Sequence, residues 1–410
     1  GRAGEKVWNY TVGFGGGINC WWAQTPRFHP SDFQTQTLYG RGTDWPMSYD
    51  SLEPFYLAAE QRMAIAGDAA IGRISPRSGP YPQPPHRLSG IDEIMQAAQP
   101  EFHFALPTAR SSIVTEQRSK CCAAARCNLC PTNAKFTTDN SFSYLLSDED
   151  VHVVLGAEVR VVNSAGGVAT GVSYLKEGTD HEVHGDLVVL GANAIQSPAI
   201  LLRSGIDDPL VGKGLHEQHS VAYEAYLGGL DNFDGGTVTT GLNYSLYDGP
   251  FRREAAGAML YFENRWSHGL RPEPGRWRQT LPIWASIEDE PQRENRVVLQ
   301  DDVPFVEHAD VSEYAHAGAA RVAEQLATVL APLPVERLHN RGVHATASHV
   351  QGTLRMGVGP DDSVVGQDLL HHRIRNLMIV GSAVLPTSSG ANPSLTVAAL
   401  SLRAMEELSR

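Results

Sequence analysis

Short apolar runs at residues 151–155, 159–163, 171–175 and 186–190 predict four strands in the middle of the chain. The last feeds Gly191-Ala-Asn-Ala194 and then a helix over about 197–204, closed by Gly205. A strand that enters a helix through small residues turns the helix N-terminus toward a ligand. Residues 222–300 are rich in Tyr, Thr, Leu and Val with repeated glycines, which fits an antiparallel sheet. Val311, Tyr314, Ala315, Ala319, Val322, Leu326, Val329 and Leu330 share one helical face, predicting a helix over 311–331 that Gly318 weakens. A fully apolar strand follows at 377–380, and Pro393 opens a last helix running to about Leu408. Near the start, Ser51, Glu53 and Pro54 signal a helix, and the prolines of 74–90 predict an extended surface loop.

Composition narrows the class. At 410 residues with 42% apolar positions, the chain exceeds one ordinary domain and can bury a sizeable core. Lysine plus arginine number 33 against 46 acids, and a net charge of −13 disfavours a phosphate backbone as partner. No run of about 18 apolar residues predicts a membrane span. The 39 glycines and 25 prolines are scattered without a period, so they predict tight turns.

Two segments carry candidate chemistry. Gly13-Phe-Gly-Gly-Gly17, followed by Ile18-Asn19-Cys20-Trp21-Trp22, lets backbone amides approach a flat or anionic ligand. It lacks the i, i+2, i+5 glycine spacing of a dinucleotide fingerprint, and that spacing occurs nowhere in the chain. Four of the five cysteines, Cys121, Cys122, Cys127 and Cys130, fall within ten positions. Cys127-Asn-Leu-Cys130-Pro131 has the spacing and trailing proline of iron–sulfur loops. Zinc would accept the same sulfurs, and buried thiols with a loop disulfide are the plain alternative. Taken alone, His349 reads as a structural loop histidine and Asn392 as the cap of the last helix.

Together these pieces resemble the glucose–methanol–choline (GMC) family of flavin oxidoreductases. The match is most specific in Ser348-His349-Val-Gln-Gly-Thr-Leu-Arg-Met-Gly357, Asn376 through Gly381 to Pro386-Thr387, and Gly390-Ala-Asn392-Pro393-Ser-Leu-Thr396. Gly191 through Ile206 looks like a second family signature, with Asn193 and Asp207 where glycine is usual. Gly15 through Trp22, with Thr25-Pro-Arg-Phe28 and Leu215-His-Glu217-Gln218, is similar to the pyranose and glycoside oxidase branch. The cysteine cluster resembles the iron–sulfur segment of bacterial flavin glucose dehydrogenases, whose last two cysteines stand one residue further apart. The likeness spans nearly all of 10–410. The family's N-terminal strand, Gly-rich turn and helix are missing, and with Gly1 as first residue the chain reads as shortened at its start.

The resemblance implies an α/β (α+β) protein: a doubly wound FAD-binding domain lacking its N-terminal unit, plus an antiparallel-sheet substrate domain. The FAD domain would be discontinuous (1–60, 150–215 and 345–410), with a Pro-rich and Cys-cluster insertion at 61–149 and the substrate domain at 216–344. It implies FAD-dependent oxidation of a sugar or glycoside hydroxyl to a ketone or lactone, with His349 as base and Asn392 its partner. Implied flavin contacts are Gly15, Gly16, Gly17, Asn19, Val159 (at adenine), Ala192, Gly381, Ser382, Ala383, Pro393 and Thr396. The implied metal set is Cys121, Cys122, Cys127 and Cys130, holding an iron–sulfur cluster that would send electrons to a quinone, cytochrome or partner subunit. Without a cluster, oxygen would reoxidise the flavin. A cytoplasmic location is expected, a periplasmic one is compatible, and oligomers are compatible too. The competing expectation is a non-catalytic subunit that kept the scaffold.

Several side chains are left with two readings. Cys20 stands where related pyranose oxidases carry a flavin-linked histidine, yet a buried free cysteine usually packs as a small hydrophobe, and that is the favoured reading. Trp21 and Trp22 stack on a sugar or fill core. Glu288, Glu290 and Glu294 bind sugar hydroxyls or form a solvated turn. His371 and His372 are expected as a surface pair.

Overall fold

The computed structural model describes residues 6–206, 208–265, 271 and 273–410; Gly1 and Asp207 lie outside the described residues. In chain order the strands are β1 (His103–Ala105), β2 (Glu158–Ala165), β3 (Val168–Lys176), β4 (Thr179–His184) and β5 (Val188–Leu190). They continue with β6 (His219–Leu227), β7 (Thr239–Asn243), β8 (Ala258–Glu263) and β9 (Thr280–Ile287). The last are β10 (Arg296–Gln300), β11 (Val303–Glu307), β12 (Val335–Val343) and β13 (Leu377–Ile379). The longer helices are α1 (Tyr49–Arg62), α2 (Gly90–Ala98), α3 (Asn193–Arg203), α4 (Glu313–Val329) and α5 (Ser394–Leu408).

Six strands form one antiparallel sheet in the order β1-β7-β8-β9-β6-β12. β2, β3 and β4 make a separate meander, and β10 and β11 a hairpin. β5 and β13 pair in parallel, Val189 opposite Met378, which is the parallel element the α/β expectation requires. Two cores result. The first joins α1, α3, α5 and the parallel pair around Leu52, Tyr56, Leu201, Leu377 and Leu395. The second lies between the large sheet and helices α2 and α4, around Met95, Leu260, Ile283 and Leu326. Gly318 allows the α4 approach: a β-carbon there would stand 2.7 Å from that of Ala256. Close packing therefore outweighs its poor helix propensity.

Three expectations are corrected and one strand is added. Residues 151–155 pair with no strand among the described residues and are exposed, so the apolar run has neither a ladder partner nor a core face to make it a strand. β4 went unforeseen because Thr-Asp-His-Glu lacks apolar alternation; pairing with β3 makes it a strand. α1 starts at Tyr49, capped by Ser48, whose hydroxyl accepts the Ser51 N–H. α3 starts at Asn193, before the expected 197, because the Asn193 carboxamide oxygen accepts the N–H groups of Ile195 and Gln196. Pro198 then sits inside the helix and cannot donate to the Ala194 carbonyl, so the Thr353 hydroxyl donates to it instead, at 2.7 Å. That bond ties α3 to the segment that follows His349.

Candidate active site

His349 and Asn392 meet although 43 residues separate them: Asn392 Nδ2 lies 3.2 Å from His349 Nε2. His349 follows β12 through an irregular stretch. Its backbone N–H and that of Ala347 each donate to the Glu217 carboxylate at 3.1 Å, and Glu217 is also paired with Lys6. The imidazole Nδ1 lies 3.0 Å from Gln218 Oε1. The residue as a whole is half-buried, but protein crowds the ring, and this burial lowers its pKa to about 4. The ring is therefore neutral at ordinary pH, with one nitrogen lone pair available.

Asn392 does not cap the last helix, contrary to its plain reading. Pro393 is the N-cap of α5, and no side chain among the described residues caps the first amides. The Asn392 amide turns to His349, and its Oδ1 is buried without a hydrogen-bond partner among the described residues. An uncapped helix start beside a buried orphan acceptor is a place suited to a polar, electron-rich ring.

The loop before Asn392 is held from behind by a buried charge network. Ser389 Oγ accepts the Ala391 N–H at 3.0 Å and donates to Asp32 at 2.9 Å. Asp32 also accepts the Tyr247 hydroxyl and an N–H of Arg252. The Arg252 guanidinium, wholly buried, further meets Glu288 at 2.9 Å and Asp248 at 3.3 Å. Desolvation works against its charge, but Glu288 and Asp32 outweigh that and hold it protonated. Glu288 is thus committed to Arg252, the Gly257 N–H and the Tyr314 hydroxyl, so neither sequence reading of it stands. Glu290 pairs with Arg41 at 2.6 Å, and Glu294 is exposed.

Of the implied glycine positions Gly16, Gly17 and Gly381 are open, while the Asn19 side chain covers Gly15. Gly15 and Gly16 adopt φ of 83° and 54°, and nothing lies within 4 Å of a β-carbon built at Gly16, Gly17 or Gly381. Asn19 braces this loop by donating to the Phe14 carbonyl at 2.7 Å. The turn after β13 is zipped to the segment carrying His349. The Ser382 hydroxyl donates to the Val350 carbonyl at 2.6 Å, the Gly352 N–H to the Ser382 carbonyl, and the Leu354 N–H to the Ala383 carbonyl. The residues present therefore fit FAD at the flavin end: open glycine backbone, a free helix terminus and an orphan amide oxygen. Of the other implied contacts, Ala192 is the N-cap residue of α3. The Thr396 hydroxyl bonds Tyr56 between α1 and α5 at 2.8 Å, and Val159 packs on the first core.

Cys121, Cys122, Cys127 and Cys130 line one pocket with Arg110, Lys135 and Pro131, and all are free thiols. Burial pushes the Cys127 thiol up. At Cys130 burial acts the same way, but the N–H groups of Lys135, Thr132 and Ala134 outweigh it and the pKa falls. Among the described residues no group of three or more His, Cys, Asp or Glu is arranged to hold a metal ion. The four sulfurs share a pocket without converging on one point. The Lys135 ammonium reaches the carbonyls of Asn19 and Trp21 at 3.0 Å, and also that of Cys127, joining the glycine loop to the cysteine loop. Cys20 Sγ lies 3.0 Å from the Thr11 hydroxyl. Trp21 behaves as core: its indole N–H donates to the Phe136 carbonyl at 2.9 Å. Trp22 lies under the Arg265 guanidinium, 5.4 Å away. His371 is not a surface residue. It is fully buried, its Nδ1 accepts the Arg373 and Ile374 N–H groups, and only His372 reaches partly toward solvent. No helix among the described residues is long and apolar enough to cross a membrane.

Residues 90–220 match the N-terminal and 291–401 the C-terminal family model of GMC oxidoreductases. The fructose dehydrogenase large subunit of Gluconobacter japonicus is 27% identical over 97% of this chain and 80% of its own length. The 6'''-hydroxyparomomycin C oxidase of Streptomyces lividus is 27% identical over 97% of this chain and 79% of its own. In fold, pyridoxine 4-oxidase from Mesorbium loti superposes with a TM-score of 0.67 over 99% of this chain and 86% of its own, at 18% identity.

Proposed function

Because the chain belongs to the GMC oxidoreductase family, we propose that it oxidises a hydroxyl of a sugar or glycoside to a carbonyl, with His349 as base and Asn392 beside it. The observation that carries this reading is the 3.2 Å contact between His349 Nε2 and Asn392 Nδ2. The names of the relatives, a fructose dehydrogenase large subunit and a 6'''-hydroxyparomomycin C oxidase, support the substrate class.

FAD, when bound, supplies the hydride acceptor. The residues that would hold it at the flavin end are Gly15, Gly16, Gly17, Gly381, Ser382, Ala383 and the start of α5 at Pro393 and Ser394. The chain's own part is proton chemistry and positioning. A substrate hydroxyl that displaces the direct Asn392–His349 contact donates to His349 Nε2 and accepts from Asn392 Nδ2. As its proton passes to Nε2, charge grows on the oxygen, and Asn392 stabilises that charge where it develops. The free amides of α5 add partial positive charge at the same place.

The cysteine pocket is the second part of the proposal. The four sulfurs, with Arg110, Arg126 and Lys135 around them, are of the donor type an iron–sulfur cluster takes, although among the described residues they do not converge on one point. Its presence would direct electrons to a quinone, cytochrome or partner subunit; without it, oxygen is the acceptor. One anaerobic preparation tests both parts. It is expected to be yellow, to bleach on addition of fructose, glucose or a simple glycoside, and to contain iron with acid-labile sulfide. A yellow protein without iron ends the cluster reading. A colourless protein that takes up no added FAD favours the non-catalytic subunit.

A further inference from the structure

Nε2 of His349 takes the substrate proton only if Nδ1 carries the ring hydrogen, and the packing around the ring bears on that. We infer that Gln218 is a positioning residue that leaves the lone pair of His349 on Nε2 and fixes the spacing between His349 and Asn392. The inference rests on the reading of His349 as the base.

Gln218 is fully buried. Its amide nitrogen lies 2.8 Å from the Ser389 carbonyl and 3.1 Å from the Ala391 carbonyl. Backbone carbonyls only accept, so both amide hydrogens are committed, and a flipped amide would set oxygen against two oxygens. Oε1 must therefore face His349 Nδ1, and an amide oxygen also only accepts. Nδ1 consequently carries the hydrogen, and Nε2 keeps the lone pair, opposite the Asn392 amide donor.

The same side chain does a second task. Its nitrogen grips the two carbonyls just before Asn392 while its oxygen grips the ring of His349, so one residue spans both halves of the pair. Its neighbour Glu217 fixes the backbone: its carboxylate accepts the N–H groups of Ala347 and His349 and is charge-paired with Lys6. Base, partner and their separation are all set from the strand entry at 217–218.

The choice of an amide has a consequence. A carboxylate against Nδ1 would favour the imidazolium and raise the ring's pKa; the amide leaves burial unopposed. Among the described residues the charged group in contact with His349 is Glu217, which accepts its backbone N–H and is paired with Lys6.

The test has a spectroscopic and a kinetic arm. In the holoenzyme carrying 15N-histidine, His349 is expected to be the Nδ1–H tautomer, with Nε2 unprotonated. Gln218→Leu should keep FAD, mix the two tautomers and slow anaerobic flavin reduction on the order of a hundredfold. Gln218→Glu should move the acid limb of flavin reduction upward by about one pH unit or more. An Nε2–H ring in the wild type overturns the inference, as does a Gln218→Leu enzyme with unchanged rate and tautomer or an unmoved limb in Gln218→Glu. The tautomer is read without turnover. A mistaken base, revealed by full flavin reduction in His349→Ala, is thereby separated from a mistaken role for Gln218.

Discussion

In His349→Ala the holoenzyme should stay yellow yet reduce its flavin with sugar about a thousandfold more slowly, within the ~10²–10⁴-fold that a positioned base contributes. Among the described residues nothing that touches the ring can replace it. Glu217 is the adjacent carboxylate, but it is occupied by the Ala347 and His349 N–H groups and by Lys6. The Asn392 amide donates and does not take up a proton at neutral pH. FAD retention is expected because the open glycines and the α5 terminus owe nothing to the imidazole. Anaerobic stopped-flow absorbance measures both points, and a wild-type rate would remove His349 from the mechanism.

The largest loss of stability is expected from Arg252→Met, about 3–5 kcal/mol. Methionine fills most of the arginine volume, so the effect isolates charge. Without the guanidinium, Asp32 and Glu288 face one another's surroundings as buried carboxylates with no cation between them. Ser389 hangs from Asp32, so the loop leading to Asn392 should loosen as well. Urea unfolding followed by tryptophan fluorescence gives the stability change. A loss below about 1 kcal/mol would mean that the carboxylates relax into solvent and that the network does not hold the loop.

What the sequence made legible follows from where the information sits. α4 and α5 are written in local periodicity and capping, and β13 is a buried run of three apolar residues, so each was readable within a residue or two. That His349 and Asn392 belong together was readable only through the motif that carries them, because neither residue type is distinctive alone; the structure brings the two side chains into contact. β4 and the 151–155 segment were misread for opposite reasons. The first is a polar sequence made a strand by its neighbour; the second is an apolar sequence left without one. His371 looked like half of a polar surface pair, but a turn buries it and gives its Nδ1 two backbone donors. The Arg252 network was out of reach, since Asp32, Arg252, Glu288 and Ser389 lie in four distant segments with no shared pattern. Gln218 stood in a recognised stretch, yet only the fold shows that its amide faces the His349 ring.

The central claim is that a neutral, burial-held His349 takes the substrate proton. Its sign with pH is fixed: the neutral ring is the active form, burial disfavours the charged form, and activity is lost when the ring protonates. The direct measurement is the rate of anaerobic flavin reduction by sugar against pH, after rapid pH jumps from neutral buffer. The rate should stay level down to about pH 5 and fall only as pH drops through about 4. A fall centred near 6.5, the value of an ordinary solvated histidine, or no acid limb at all would contradict it.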